Sequence, residues 1–211
     1  MEPLAFSTPK IDVPSSVRVV LASASPRRKE LCTLAGLSFE IKVADCDETF
    51  PLGTPPVNAV ELLARRKGEA VAKELPEGTL VIASDTLVEL DGAPLGKPKD
   101  EKDALRMLTA LSGNTHYVRT GVAVFFGGRV LSSADSTAVT FYEKSEADLL
   151  SYIKTGEPAD KAGAYAIQGI GSFLVKEING SYDTVVGLCM DVLRDLIFRI
   201  LQGEGEDYAR P

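Results

Sequence analysis

The chain has 211 residues, 45% of them hydrophobic and 25% charged, which suits one globular domain or two small ones with a sizeable core. A formal net charge of −7 excludes a general nucleic-acid binder, which needs a basic stripe, but not a small anionic ligand held by a locally positive site. Cys32, Cys46 and Cys189 show neither metal-ligand spacing nor an even disulfide count, which fits reduced thiols in the cytoplasm, and no apolar run has the length of a membrane span.

Residues 1–16 carry Pro3, Pro9 and Pro14 without a basic start or an apolar core, so they predict a loose arm and no signal peptide. Residues 18–22 then form an apolar, β-branched run that reads as a buried strand. Ser23-Ala24-Ser25-Pro26-Arg27-Arg28 turns the chain into a helix over 26–35, with Ser25 at the N-cap and Pro26 at the first helical position, where its missing N–H costs nothing. Free backbone N–H groups, the positive end of a helix dipole, the hydroxyls of Ser23 and Ser25 and the guanidinium groups of Arg27 and Arg28 meet at this turn. A di- or triphosphate would use every one of those donors; a capped helix with two solvated arginines would leave the same pattern.

Phe39 to Val43 alternates like a strand and leads into Asp45-Cys46-Asp47-Glu48. That acidic run is either a solvated turn or a source of metal-facing carboxylates, since Mg²⁺ favours one or two carboxylates plus substrate phosphates. After a proline-rich loop over 50–56, a helix is predicted from Val57 to Glu74, with Leu63, Lys67 and Val71 on one face. Lys67 interrupts that apolar face, so its ammonium either snorkels to the edge or aims inward at an anion. Thr79 to Ala83 reads as a short buried strand, with Ser84-Asp85-Thr86 directly after it. Ligands in open α/β sheets bind beyond strand ends, so Asp85 is placed to hold a metal or take a proton from water, or merely to cap. Lys97, in Gly96-Lys97-Pro98, is held extended by the proline that follows, either within a cleft or on an exposed loop.

A helix follows over 100–111. His116, the only histidine, can neither build a histidine metal cluster nor define a triad and reads as structural. Strands over 118–126 and 129–141 join at Gly127-Gly128 as a hairpin, and a helix starts at Ser145. The run Asp160-Lys161-Ala162-Gly163-Ala164-Tyr165-Ala166-Ile167-Gln168-Gly169-Ile170-Gly171 is rich in small residues that allow a backbone to approach a ligand closely, or to pack tightly. Gln168 brings to it an amide able to read a base edge. A strand over 173–178, a closing helix over 184–201 and a polar tail over 203–211 complete the chain. Neither a Walker-type phosphate loop nor a dinucleotide-binding glycine motif is present. The alternation of strand and helix with one long hairpin predicts an α/β fold: a mixed twisted sheet, flanking helices and a deep cleft between two lobes, in one domain over 17–202.

Five ordered stretches resemble the Maf family of nucleoside triphosphate pyrophosphatases, relatives in fold of the inosine triphosphatases. They are Leu21 to Arg28, Ser84-Asp85-Thr86, Gly96-Lys97-Pro98, Ser112-Gly113-Asn114-Thr115-His116, and Asp160 to Gly169. The resemblance implies hydrolysis of a nucleoside triphosphate to monophosphate and pyrophosphate, by Asp85, Lys67, Lys97 and Glu48. Mg²⁺ or Mn²⁺ would be held by Glu48 and Asp85, and substrate by Ser23, Ser25, Arg27, Arg28, Thr86 and Gln168. Arg28, Thr86 and Gln168 resemble the branch acting on dTTP and UTP; the 7-methyl-GTP branch and a non-catalytic regulator of septation are the alternatives. Ala166 and Cys189 depart from the family, standing where glycine and proline are usual. Nucleic acid and membrane are not expected as partners, while a homodimer stays open.

Overall fold

The computed structural model describes residues 10–208. The chain opens with β1 (Arg18–Leu21), α1 (Pro26–Leu34), β2 (Glu40–Ile41) and α2 (Pro56–Ala72). Then come β3 (Thr79–Leu90), β4 (Ala93–Leu95), α3 (Glu101–Leu111), β5 (Thr115–Phe126) and β6 (Arg129–Phe141). After α4 (Glu146–Ile153), three 3₁₀ turns (Glu157–Asp160, Ala162–Ala164, Gly169–Leu174) lead to β7 (Val175–Asn179), α5 (Tyr182–Val186), α6 (Met190–Leu201) and β8 (Glu206–Asp207).

The strands form one mixed sheet in the order β2-β1-β3-β5-β6-β7, with β4 alongside β3 and β8 alongside β6. β1 runs parallel to β2 and β3, whereas β3, β5, β6 and β7 are antiparallel neighbours. The helices pack on both faces, giving the mixed α/β sheet with flanking helices that the pattern predicts.

The strand expected over 79–83 runs on to Leu90. Its parallel pairing with β1 does end at Ile82, but antiparallel pairing with β5 continues to Glu89. Asp85 therefore lies in mid-strand, at the level where β1 has already turned towards α1. The pleat sends Val81, Ala83 and Asp85 to the α2 face and Leu80, Ile82, Ser84 and Thr86 to the other. Burial follows that alternation: Val81 and Ala83 pack with Ala64 and Val71 of α2, while Leu80 and Ile82 pack with Cys32 of α1 and Leu193 of α6.

Two contacts set the height of α2 above the sheet. A Cβ on Gly121 of β5 would stand 2.3 Å from the Val60 carbonyl oxygen, and one on Gly68 of α2 would stand 2.3 Å from the Phe125 ring. Neither distance is physically possible for a methyl group, so strand and helix backbones meet directly at Gly121 and the Phe125 ring lies against the helix backbone at Gly68.

A third core cluster, with Val88, Leu108, Leu111, Phe141, Leu149, Tyr152 and Leu174, belongs to α3, α4 and the far ends of β3, β5 and β6. His116 lies in it, buried, with Nε2 hydrogen-bonded to the Tyr165 hydroxyl at 2.8 Å. Burial lowers its pKa to about 4. The cleft runs between this lobe and the lobe built on β1, α1, α2 and α6.

Other bounds differ from expectation. The closing helix predicted over 184–201 is two helices, because Gly187, at φ +123°, breaks it. The strands expected over 39–43 and 173–178 shrink to Glu40–Ile41 and to Val175–Asn179, the latter after a 3₁₀ turn that takes up Phe173 and Leu174. Of the stretch read as a loose arm, residues 1–9 lie outside the described ones, while Ile11 is buried and donates its N–H to the Ala35 carbonyl at 3.0 Å. In the polar tail, Glu206 and Asp207 pair with β6; residues 209–211 lie outside the described ones.

Candidate active site

A cleft of about 880 Å³ gathers Ser23, Ser25, Arg27, Arg28, Glu48, Lys67, Asp85, Thr86, Lys97 and Gln168, together with Glu157, Asp160, Lys161 and Gly187. All ten residues singled out from the sequence thus reach one cavity.

Its first wall is the turn from β1 into α1. Ser25 occupies the N-cap position and Pro26 the first helical one, but the Ser25 side chain makes no capping bond. Ser23 Oγ instead accepts the Ser25 N–H at 3.3 Å. Asp100 and Ser145 do cap α3 and α4 with their side chains, so the uncapped start of α1 leaves first-turn N–H groups and the Ser25 hydroxyl to the cleft. The two arginines differ. Arg27 donates from Nε to the Val186 carbonyl at 3.2 Å, leaving both Nη groups without a partner among the described residues. Arg28 is tied at three points: Nε to the Gly187 carbonyl (2.8 Å), Nη1 to Ser23 Oγ (3.2 Å) and Nη2 to Thr86 Oγ1 (3.1 Å). Burial lowers the pKa of both, opposed chiefly by Asp160 at Arg27 and by Asp85 at Arg28.

Ser84 Oγ also donates to the Gly187 carbonyl, at 3.0 Å, and Thr86 Oγ1 lies 3.0 Å from Thr120 Oγ1. The broken α5–α6 junction is therefore the common acceptor that fixes β3 and α1 against each other.

Lys67 turns inward. Leu63 and Val71, one turn either side, are buried, and the ammonium lies 2.5 Å from Asp85 Oδ1 and 3.1 Å from Glu48 Oε2. Desolvation lowers the Lys67 pKa, but the Asp85 and Glu48 carboxylates outweigh it and the net shift is upward. Asp85 Oδ2 accepts no hydrogen bond among the described residues. Two carboxylates meeting at one ammonium suit a hard cation that completes its shell with phosphate oxygens and water. No group of three or more His, Cys, Asp and Glu able to hold a metal occurs among the described residues.

The opposite wall is open. Lys97 is exposed at the cleft edge, and neither its ammonium nor the Gln168 amide has a partner among the described residues. Gly163 N–H donates to the Gly96 carbonyl at 3.0 Å, joining the loop of Lys97 to the segment that leads to Gln168. Glu157, Lys161 and the Val186 and Gly187 carbonyls are cleft groups that the sequence reading did not single out. Lys161 stood inside the quoted motif, paired here with Asp160; Glu157, just after the helix stop at Gly156, carried a weaker signal.

A cleft with a lysine-held carboxylate, an uncapped helix start and free donors opposite is an oxyanion site of the kind a phosphoanhydride hydrolase needs. The chain belongs to the Maf-like protein family, whose model matches residues 18–200. It is 48% identical over 191 residues to the dTTP/UTP pyrophosphatase of Shewanella denitrificans, covering 87% of this chain and 96% of that protein. With the dTTP/UTP pyrophosphatase of Desulfitobacterium hafniense it shares 48% identity over 183 residues, 84% of this chain and 82% of that one. Among solved structures, the Ham1 protein of Staphylococcus aureus aligns with a TM-score of 0.48 at 16% identity, over 88% of this chain and 96% of that one. No helix among the described residues is long and apolar enough to cross a membrane.

Proposed function

We propose that the protein hydrolyses dTTP and UTP to the nucleoside monophosphate and pyrophosphate. The observation that carries the reading is the Lys67–Asp85 contact of 2.5 Å, set in a cleft with free phosphate donors on one wall and a free Gln168 amide on the other. The relatives' activity supports the same reaction.

The triphosphate enters with its charge facing the start of α1, where the Arg27 Nη groups, the Ser25 hydroxyl and the first-turn N–H groups bind phosphate oxygens. Lys97 reaches in from the opposite edge and grips the leaving end. Asp85, fixed at Oδ1 by Lys67, presents Oδ2 to a water molecule and takes its proton. The water oxygen bonds to the α-phosphorus while the bond from that phosphorus to the α,β-bridging oxygen breaks, and pyrophosphate leaves with the electron pair. Mg²⁺ or Mn²⁺, held by Glu48 and Asp85, would supply neutralisation of charge on the phosphoryl oxygens. Arg28 is bonded on three sides and holds Ser23, Thr86 and Gly187 in place beneath the substrate.

Uracil and thymine present acceptor, donor, acceptor along their pairing edge. The Gln168 amide offers one donor and one acceptor to that edge. Cytosine lacks the N–H and one carbonyl, so a buried amide group goes unpaired, at a cost of about 1–3 kcal/mol or roughly tenfold to hundredfold in kcat/KM.

Pyrophosphate release from a panel of dTTP, UTP, CTP, purine triphosphates and 7-methyl-GTP, with Mg²⁺ and with excess EDTA, tests the reading. Turnover of dTTP and UTP well above the rest, abolished by EDTA, is the expected result. Preference for 7-methyl-GTP overturns the substrate assignment, and full activity in EDTA overturns the cation.

A further inference from the structure

Gln168 sits in a segment held from both sides by two residues outside the catalytic set. Upstream, the backbone N–H of Ala166 donates to the Tyr152 hydroxyl at 3.2 Å. Downstream, Ile170 N–H donates to Glu157 Oε1 at 3.1 Å and Gly171 N–H to Oε2 at 2.8 Å. The two holding side chains are neighbours: burial first, and then the nearby Glu157 carboxylate, raise the Tyr152 hydroxyl's pKa. Tyr152 is 2% exposed and belongs to the core cluster of α3 and α4, so this anchor is packed into the core.

The glycines of the segment fall where it presses on that anchor. A Cβ on Gly169 would stand 2.3 Å from Glu157 Oε1, and one on Gly171 would stand 2.4 Å from the Tyr152 hydroxyl and 2.5 Å from the Ala166 carbonyl. Gly169 also has φ +73°, a conformation L side chains rarely adopt. A carboxylate with both oxygens on successive backbone N–H groups is a charge-assisted, two-point grip. Between the two grips only Ile167, Gln168 and Gly169 span the gap, with the Gln168 backbone extended at φ −86° and ψ 157°. The amide that faces the cleft is thus mounted on a short backbone bridge whose ends are fixed.

We infer that Glu157, acting with Tyr152, is a positioning residue for base selection: it fixes the backbone on either side of Gln168 so that the amide meets the pyrimidine edge in one orientation. The inference rests on Gln168 reading the base. It differs from a phosphate role for Glu157, which the nearby Arg27 would transmit to every nucleotide alike.

The test compares the wild type with E157Q, G171A and Q168A, each first checked for native circular dichroism. Glu157→Gln keeps the shape but replaces one acceptor oxygen with an NH₂ that opposes a backbone N–H. Gly171→Ala removes no polar group and forces the segment off Tyr152 and off the Ala166 carbonyl. The UTP-to-CTP ratio of kcat/KM is expected to fall about tenfold in both, towards that of Q168A. E157Q in the Q168A background is expected to narrow it no further. Amide exchange followed by mass spectrometry supplies a readout that needs no substrate: Ile170 and Gly171 exchange roughly tenfold faster in E157Q and at the wild-type rate in Q168A. Equal losses for UTP and CTP in E157Q assign Glu157 to the phosphate side and overturn the inference, as does unchanged exchange. A narrowed ratio in Q168A beside a wild-type ratio in E157Q and G171A brings down the positioning role alone. A wild-type ratio in Q168A brings down the base reading beneath it.

Discussion

The groups around the Lys67–Asp85 pair and those of the facing wall are held in opposite ways, with the Arg27 Nη groups and the Ser25 hydroxyl at the start of α1 free like the latter. On the wall of β3, α1 and α2, Ser84, Asp85, Thr86, Lys67 and Arg28 each already bond to protein atoms. On the facing wall, Lys97 and Gln168 have no partner among the described residues. Groups that are bonded in advance need no reorganisation at the moment of reaction, which is what chemistry on a phosphorus atom demands. Groups left free bond only when a ligand arrives, which suits recognition. The difference separates a reacting wall from a selecting one.

Substitutions on the reacting wall are expected to act on kcat, and those on the selecting wall on KM or substrate ratio. The largest effect falls at Asp85: Asp85→Asn keeps the shape and removes the base, so kcat for dTTP drops by on the order of 10²–10⁴ with KM nearly unchanged. A wild-type kcat in that variant would break the division. Lys67→Met comes next, lowering kcat by about 10² and, by leaving Asp85 buried without its ammonium, costing on the order of 3 kcal/mol in urea unfolding. Lys97→Ala sharpens the contrast: KM rises roughly tenfold, kcat changes less, and stability shifts by under about 0.5 kcal/mol because the side chain is exposed and unpartnered.

The smallest effect at neutral pH lies outside the cleft. His116 is held neutral by burial, with a folded pKa of about 4 against an ordinary value of 6.5. The unfolded chain takes up this proton before the folded one does, so its contribution to stability is complete above pH 6.5 and is lost as pH falls towards 4. The loss reaches on the order of 3 kcal/mol, and His116→Asn is expected to flatten that part of a stability profile measured by thermal unfolding across the window.

Local features were legible in the sequence. The passage from strand to helix at Ser23 to Arg28 is written in adjacent residues, whereas the place of Lys67 one turn from Leu63 and from Val71 marks it as unusual but leaves its direction, to the edge or inward, open. What the sequence hid were long-range acceptors without a residue signature. Gly187 offers a backbone carbonyl to Arg28 from 159 positions away, and no side-chain pattern announces that. The length of β3 was hidden for a related reason. Ser84, Asp85 and Thr86 look like the end of an apolar strand, but Lys67, the Gly187 carbonyl and Thr120 satisfy them from other elements, so the strand passes through polar residues. Glu157 was missed because its partners are backbone amides 13 and 14 residues on.

The bare contact of α2 with the sheet gives the catalytic pair a mechanical tolerance. Lys67 rides on a helix whose clearance from β5 is set at Gly121 and Gly68, where a single methyl would strike the Val60 carbonyl oxygen or the Phe125 ring at 2.3 Å. Adding that methyl wedges the helix outward by a fraction of its side-chain reach. The 2.5 Å contact at Asp85 then survives only as far as the four-carbon Lys67 stem readjusts. Turnover can therefore be tuned from beneath the helix, by shims placed where no substrate atom reaches.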